Sequence, residues 1–357
     1  MKAIAEGRVA AVVLAGGQAS RLGSAQPKGV LPLGTRGLGK GKVDSLLFIQ
    51  SALILRLQRL AAIGHEDVVK KSGGRITWLV MTNGTNDVAV RSHIIAICRK
   101  TKLSLDQIIV FSQKETPAFD FDGNVLMKSR TELATAPDGH GGFYEAVRPH
   151  LSELEKRGVQ YLLLYCVDNI LCRVAGQSMI GYAIEQNADC VLKVVEKSDP
   201  YELVDKVIRE GERFRVLQCS ETPSELAERR CPMFPSKFLL RKGNIESYMV
   251  TFGFLRKACD LLLPYHAVCN PNGIKLERFI FDAFVDQDVF LWLVSTEEEY
   301  SPLKNQDAVG TAACRVAWRV LGPLMPRGFA GRALTRALRR ACWSDSQWIC
   351  QECIDER

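Results

Sequence analysis

The sequence predicts an α/β protein with a mostly parallel sheet flanked by helices. Its apolar runs are continuous rather than alternating, which marks strands covered on both faces. Through the first two hundred residues these runs take turns with segments of helical period. The bulk numbers agree: 357 residues, 47% hydrophobic and 24% charged, can bury a substantial core in one large or two ordinary domains.

Each element has its own signal. "VAAVVLA" (9–15) is a fully buried strand. "DSLLFIQSALILRLQRLAAIG" (44–64) carries apolar residues at helical spacing, with Asp44 or Ser45 as cap and Gly64 as stop. "ITWLVMT" (76–82) is a strand, "DVAVRSHIIAICRK" (87–100) a helix and "QIIVFS" (107–112) a third strand. "YLLLYCVDNI" (161–170) is the strongest strand run in the chain, and "ADCVLKVVEK" (188–197) is another. No internal repeat or low-complexity segment occurs. Beyond about residue 305 the composition shifts: residues 311–340 hold seven arginines and no lysine. The chain therefore divides into a core, 1–305, and an Arg-rich tail, 306–357. "RGFAGRALTRALRRACW" within that tail is either a basic amphipathic helix or a solvated end.

Composition excludes several functions. The net charge of +7 permits anionic ligands, but no block of five or six like charges exists to form a nucleic-acid arm. No run of eighteen apolar residues exists, so no membrane span is expected. Glu6 and Arg8 interrupt the N-terminal apolar stretch, which argues against a signal peptide and for a cytoplasmic protein. The twelve cysteines are scattered through apolar runs, as reduced and mostly buried thiols would be. Only Cys350 and Cys353 have CxxC spacing, and a structural zinc site needs a second ligand pair.

The informative loop is "LAGGQASRLGSAQPK" (14–28), which follows the first strand. In an open parallel sheet, ligands sit beyond the carboxyl ends of the strands. Gly16 and Gly17 let a backbone approach a ligand closely, and their N–H groups can cradle phosphate oxygens. Arg21 offers a planar fork for phosphate, and Lys28 a mobile point charge. The loop lacks the Walker pattern GxxxxGK[ST], and Gln18 breaks the dinucleotide pattern GxGxxG. It fits the nucleotidyltransferase signature G-G-x-[GA]-[ST]-R-x…P-K.

From here the chain resembles the eukaryotic UDP-N-acetylglucosamine pyrophosphorylases and the wider UDP-sugar pyrophosphorylase group. The resemblance runs in order through "FSQKETPAFDFDG" (111–123), "APDGHGGFYEAV" (136–147), "YCVDNIL" (165–171), "ADCVLKVVEK", "CSE" (219–221), "GNI" (243–245), "PNGIKLERFIFDAF" (271–284) and "SPLKN" (301–305). It covers roughly residues 9–305 and implies a doubly wound, Rossmann-like nucleotidyltransferase core. It also implies family segments before the glycine loop and after "SPLKN", relative to which the chain is truncated at both ends. The Arg-rich tail does not resemble the family's C-terminal domain.

The resemblance further implies a uridylyltransferase joining UTP to N-acetylglucosamine 1-phosphate with Mg²⁺. Leu14, Ala15, Gly16 and Gly17 would lie near the nucleotide, Gln113 would read uracil, and Gly139 would admit backbone to the base. Arg21, Lys28 and Lys304 would neutralise phosphate charge. Asp168 would hold the metal: it follows six apolar residues, where an unpaired charge is costly. His140, Glu221, Asn244, Phe279 and Phe281 would face the sugar. The chain departs from the family pattern at Ala19 and Ser20, at His140 for an asparagine, at Asp205 for a glycine, and at Arg241 and Lys242 for Asn-Ala. Runner-up readings are the same chemistry on glucose or N-acetylgalactosamine 1-phosphate, and a nucleotide-binding module of little activity.

Overall fold

A computed structural model describes residues 1–19, 22–32, 45–202, 204–211, 213–285 and 287–304. Asp44, Arg21, the Arg-rich tail and the Cys350–Cys353 pair fall outside these residues.

The described chain builds one nine-stranded sheet, numbered here in chain order. Its strands are β1 (Val9–Leu14), β2 (Thr77–Thr82), β3 (Ile108–Ser112), β4 (Tyr161–Cys166), β5 (Cys190–Glu196), β6 (Asp205–Glu210), β7 (Arg213–Leu217), β8 (Lys242–Thr251) and β9 (Val289–Leu293). The spatial order is β9-β5-β8-β4-β1-β2-β3, with β6 paired to β8 and β7 to β6. Neighbours in the stretch β4-β1-β2-β3 are all parallel, as are β5 and β9. Strand β8 lies antiparallel between β4 and β5, a reversal that continuous hydrophobicity could not reveal.

Every residue of β1 and β2 is buried, because the sheet is covered on both faces. Ala11 and Val13 join Trp78, Val80 and helix Leu46–Ala62 on one face, and Ala10, Val12 and Leu14 join Leu79, Leu164 and Phe143 on the other. Ser45 caps that helix, its hydroxyl accepting the Phe48 N–H at 3.2 Å. The helix expected over 87–100 spans Asp87–Thr101. The eight cysteines among the described residues are free thiols, five of them buried.

One expected element is shorter than its apolar run. The strand predicted over 161–170 ends at Cys166. Asn169 breaks it by turning its side chain to backbone: its Oδ1 accepts the Ser301 N–H at 3.0 Å and the Leu171 N–H at 3.3 Å, and its Nδ2 donates to the Glu299 carbonyl at 2.8 Å. Leu303 N–H donates to the Asp168 carbonyl at 2.9 Å. The "SPLK" segment is thereby fastened beside the carboxyl end of β4. Asn169→Ala should cost about 2–3 kcal/mol in urea unfolding, since several buried backbone groups lose their partner. An unchanged midpoint and slope would show that Asn169 does not hold this segment.

Candidate functional site

Four neighbouring parallel strands end on the same side of the sheet, and each is followed within two residues by a polar group or a glycine. Gly16 follows β1, Asn83 follows β2, Gln113 follows β3 and Asp168 follows β4. Strand β1 lies between β4 and β2, where the chain order reverses, the place where open α/β sheets bind ligands.

The glycine loop folds back on itself. Lys28 N–H donates to the Gly17 carbonyl at 3.0 Å, and Ala19 N–H to the Gln26 carbonyl at 3.0 Å. Two asparagines that the sequence analysis passed over support the loop from β2. Asn83 Nδ2 donates to the Gly16 carbonyl at 2.7 Å, and Asn86 Nδ2 to the Ala15 carbonyl at 2.9 Å. Their signal was the "TNGTN" punctuation after a strand, where Asn83 Oδ1 caps the N–H groups of Thr85 and Asn86. A Cβ on Gly16 would stand 3.0 Å from Gln113 Nε2, so the glycine makes room for that amide. Gln113 is 8% exposed, and its Oε1 is buried without a hydrogen-bond partner. That oxygen is able to accept a hydrogen bond.

Lys28 and Asp168 meet across the site, Nζ to Oδ2, at 2.8 Å, with side chains 17% and 15% exposed. Gly29 permits this approach: a Cβ there would press Leu47 at 3.0 Å and Val167 at 3.1 Å. Lys28 itself offsets the Asp168 charge, so a metal is not required to explain that carboxylate's burial. No group of three metal-ligating side chains occurs among the described residues. A carboxylate beside the glycine loop fits Mg²⁺, which takes one or two protein carboxylates.

Lys304 sits just past the segment that Asn169 fastens, and its charge bears on Cys166 and Asp205. Cys166 donates to Glu246 Oε2. Burial pushes that thiol well up, and the Glu246 and Asp168 charges add to the effect. Glu246, which no sequence signal marked, has φ +52° where the β8 register shifts between Asn244 and Tyr248. Such strained positions gather at functional sites.

The residues expected to face the sugar form a second group. His140 Nδ1 accepts the Ile280 N–H at 3.0 Å, which leaves the proton on Nε2. Burial pulls its pKa down to about 4, so the ring is neutral. Its centroid lies 5.1 Å from Phe279 and 5.7 Å from Phe281, which stack on each other at 5.1 Å. Both phenylalanines are only 4% exposed, so they pack in the core. Asn244 is buried; its Nδ2 donates to the Tyr248 hydroxyl and its Oδ1 accepts the Glu246 N–H, each at 3.0 Å. Asp205, opposite Asn244 in the sheet, accepts the Cys219 N–H at 3.0 Å, and burial raises its pKa.

Gly139 lies where two segments of the chain meet. With φ +80° it lies against Arg278, whose carbonyl a Cβ would meet at 2.4 Å. Gly141 N–H donates to that carbonyl at 2.7 Å, and Arg278 pairs with Asp138 and, at 3.0 Å, with Glu145. The glycines of "PDGHGG" thus let two distant segments lie side by side.

His266 was also missed by the sequence analysis. Its Nδ1 contacts Glu221 Oε1 and its Nε2 contacts Asp282 Oδ2, both at 3.0 Å. Burial alone would lower its pKa, but Glu221 and Asp282 outweigh that and raise it. A folded-state pKa above the unfolded value of about 6.5 contributes stability that is complete below that value and lost as pH rises through the folded pKa. His266→Gln should therefore destabilise most near pH 6, with the gap to the parent narrowing toward pH 9. A gap independent of pH would remove His266 from charge pairing. By NMR, the His140 ring should not titrate above about pH 5.

Comparisons with known proteins give the chain's family and relatives. Residues 2–239 match the UTP–glucose-1-phosphate uridylyltransferase family. The chain is 42% identical over 331 residues to a Caenorhabditis elegans protein named "Probable UDP-N-acetylglucosamine pyrophosphorylase", covering 87% of this chain and 66% of that one. It is 35% identical over 331 residues to the UDP-N-acetylglucosamine pyrophosphorylase of Saccharomyces cerevisiae, covering 85% and 66%. The chain thus spans just under two thirds of the length of these relatives. The crystal structure of the Trypanosoma brucei UDP-N-acetylglucosamine pyrophosphorylase with an inhibitor superposes with TM-score 0.73 at 26% identity, over 96% of this chain and 71% of that one.

Proposed function

The chain belongs to the UTP–glucose-1-phosphate uridylyltransferase family, and on that premise we propose that it is a uridylyltransferase forming UDP-N-acetylglucosamine and pyrophosphate from UTP and N-acetylglucosamine 1-phosphate. The observation that carries this reading is the Lys28–Asp168 pair at 2.8 Å beside the Gly16–Gly17 loop. It sets a cation and a carboxylate at the switch point of a parallel sheet, where a nucleoside triphosphate would lie.

In this reading Gln113 pairs with the uracil edge: its unmatched Oε1 accepts the ring N3–H and its amide N–H donates to a ring carbonyl. The Gly16 and Gly17 backbone lies along the phosphates. An oxygen of the sugar 1-phosphate attacks the α-phosphorus of UTP, a P–O bond forms, and the bond to the β-phosphate breaks with its electrons leaving on pyrophosphate. Lys28 and Lys304 stabilise charge that builds during this displacement, and Arg21, by resemblance, does the same. Positioning and electrostatics supply most of the rate, because no side chain needs to form a covalent bond. Asp168 would hold Mg²⁺, which would supply positive charge against the phosphates. The neutral His140 ring donates from Nε2 toward the sugar, Asn244 and Glu221 meet its hydroxyls, and Phe279 and Phe281 form its apolar wall.

A second reading, the same reaction on another sugar 1-phosphate, is favoured by Asp205. Its carboxyl occupies space where the family pattern has a glycine, in the field of His140 and Lys304.

Pyrophosphate release by the purified chain with UTP, Mg²⁺ and the 1-phosphates of N-acetylglucosamine, N-acetylgalactosamine and glucose tests both readings. Turnover fastest with the first supports the main reading, and turnover fastest with another supports the second. Lys28→Ala should lower kcat by at least about a hundredfold. Activity near the parent level would remove Lys28 from the reaction.

A further inference from the structure

Three lysines of the described chain are almost wholly buried: Lys193 at 4%, Lys197 at 5% and Lys206 at 4% exposure. Lys193 is paired with Glu299 at 2.6 Å. Among the described residues the other two make no ion pair. Lys197 Nζ donates to the Pro200 carbonyl at 3.2 Å, and Lys206 Nζ reaches Cys219 Sγ at 3.3 Å. Burial pushes the Cys219 thiol up despite Lys206, so it stays protonated and offers no countercharge. Burial lowers the pKa of Lys197, and the charge of Lys206 lowers it further. The carboxylates that act on Lys197, Glu202 and Asp199, stand beyond ion-pair distance. Two buried ammonium groups in each other's field are costly unless something negative joins them.

Beside them lies a cavity of about 210 Å³, lined by Lys206, Cys219, Tyr201, Glu202 and Ser224, with Pro200 in its wall. A water takes about 30 Å³, so a tetrahedral oxyanion fits with solvent to spare. Asp205 and Lys206 are consecutive on β6 and leave the strand on opposite faces. Asp205 is in the field of His140 and Lys304 and accepts the Cys219 N–H, so the cavity wall at Cys219 adjoins the sugar-facing group. The Cys219–Glu221 turn that carries Glu221 forms one wall.

We propose that this cavity binds a phosphate-sized oxyanion, held by the Lys206 ammonium and the Ser224 hydroxyl with Lys197 behind, at a site separate from the glycine loop. Its occupancy steadies the turn that carries Glu221. The anion is either free phosphate or a phosphate carried on a sugar.

Thermal unfolding of the full chain in sodium phosphate, against sodium chloride of equal ionic strength, tests this. Phosphate should raise Tm by about 2 °C or more in the parent and equally in Lys28→Ala, whose glycine-loop site is damaged. Lys206→Met should show no rise, while being at least as stable as the parent in chloride, because an unpaired buried charge is gone. Ser224→Ala should need several-fold more phosphate for the same rise. A rise given only by glucose 1,6-bisphosphate, again absent in Lys206→Met, assigns the anion to the sugar. An equal rise in Lys206→Met, a rise lost in Lys28→Ala alone, or no rise with either ligand would overturn the proposal. The Lys28→Ala arm keeps the result independent of whether the chain transfers uridylyl groups.

Discussion

The ion pair between Lys28 and Asp168 is the constraint around which the site is arranged. It joins the loops that follow two adjacent parallel strands, β1 and β4, at 2.8 Å in a mostly buried setting. A lysine and a carboxylate so placed cannot both be left without a partner, since either alone would be an uncompensated charge. Gly29 gives the close approach, Asn83 and Asn86 fix the start of the loop, and Asn169 fixes the turn that presents Asp168. Each of these devices acts on backbone, so the two charges meet through the geometry of the sheet rather than through flexible side chains.

That geometry follows from topology. Parallel strands in the order β4-β1-β2-β3 bring Asp168, Gly16, Asn83 and Gln113 to one edge although they are spread over about 150 residues. This much was legible in the sequence, because each strand is an apolar run stopped by a polar residue or a glycine. The element types followed from those stops, as did a helix cap at Asp44 or Ser45, whereas the grouping of Gly16, Lys28, Gln113 and Asp168 came from the family resemblance. The extent of "YLLLYCVDNI" was misjudged for a related reason: Val167 and Ile170 are buried like strand residues, but Asn169 spends its side chain on backbone and ends the ladder.

What was not legible depends on contacts between residues far apart in the chain. Nothing local to "KGNIESYMVT" announces that β8 runs antiparallel between β4 and β5. Nothing near Gly139 announces that the Arg278 backbone will lie against it. His266 lies in a short hairpin strand, His266–Asn270, and gains meaning only from Glu221 and Asp282. No sequence signal marked Lys197 or Lys206, and burial made them notable. Phe279 and Phe281 are buried in the core, and periodicity alone could not say whether they also face a ligand.

The most direct test of the account is UTP binding by calorimetry, with and without Mg²⁺, for the parent chain and Asp168→Asn. In the free protein Lys28 is held by Asp168, and on the proposed reading a cation at Asp168 would free it for the phosphates. Mg²⁺ should therefore tighten UTP binding to the parent by about tenfold or more, and this gain should vanish in Asp168→Asn, whose Lys28 has no carboxylate to leave. An Asp168→Asn protein with the parent's full Mg²⁺ dependence would contradict the claim that the Lys28–Asp168 pair is the preformed phosphate and metal site.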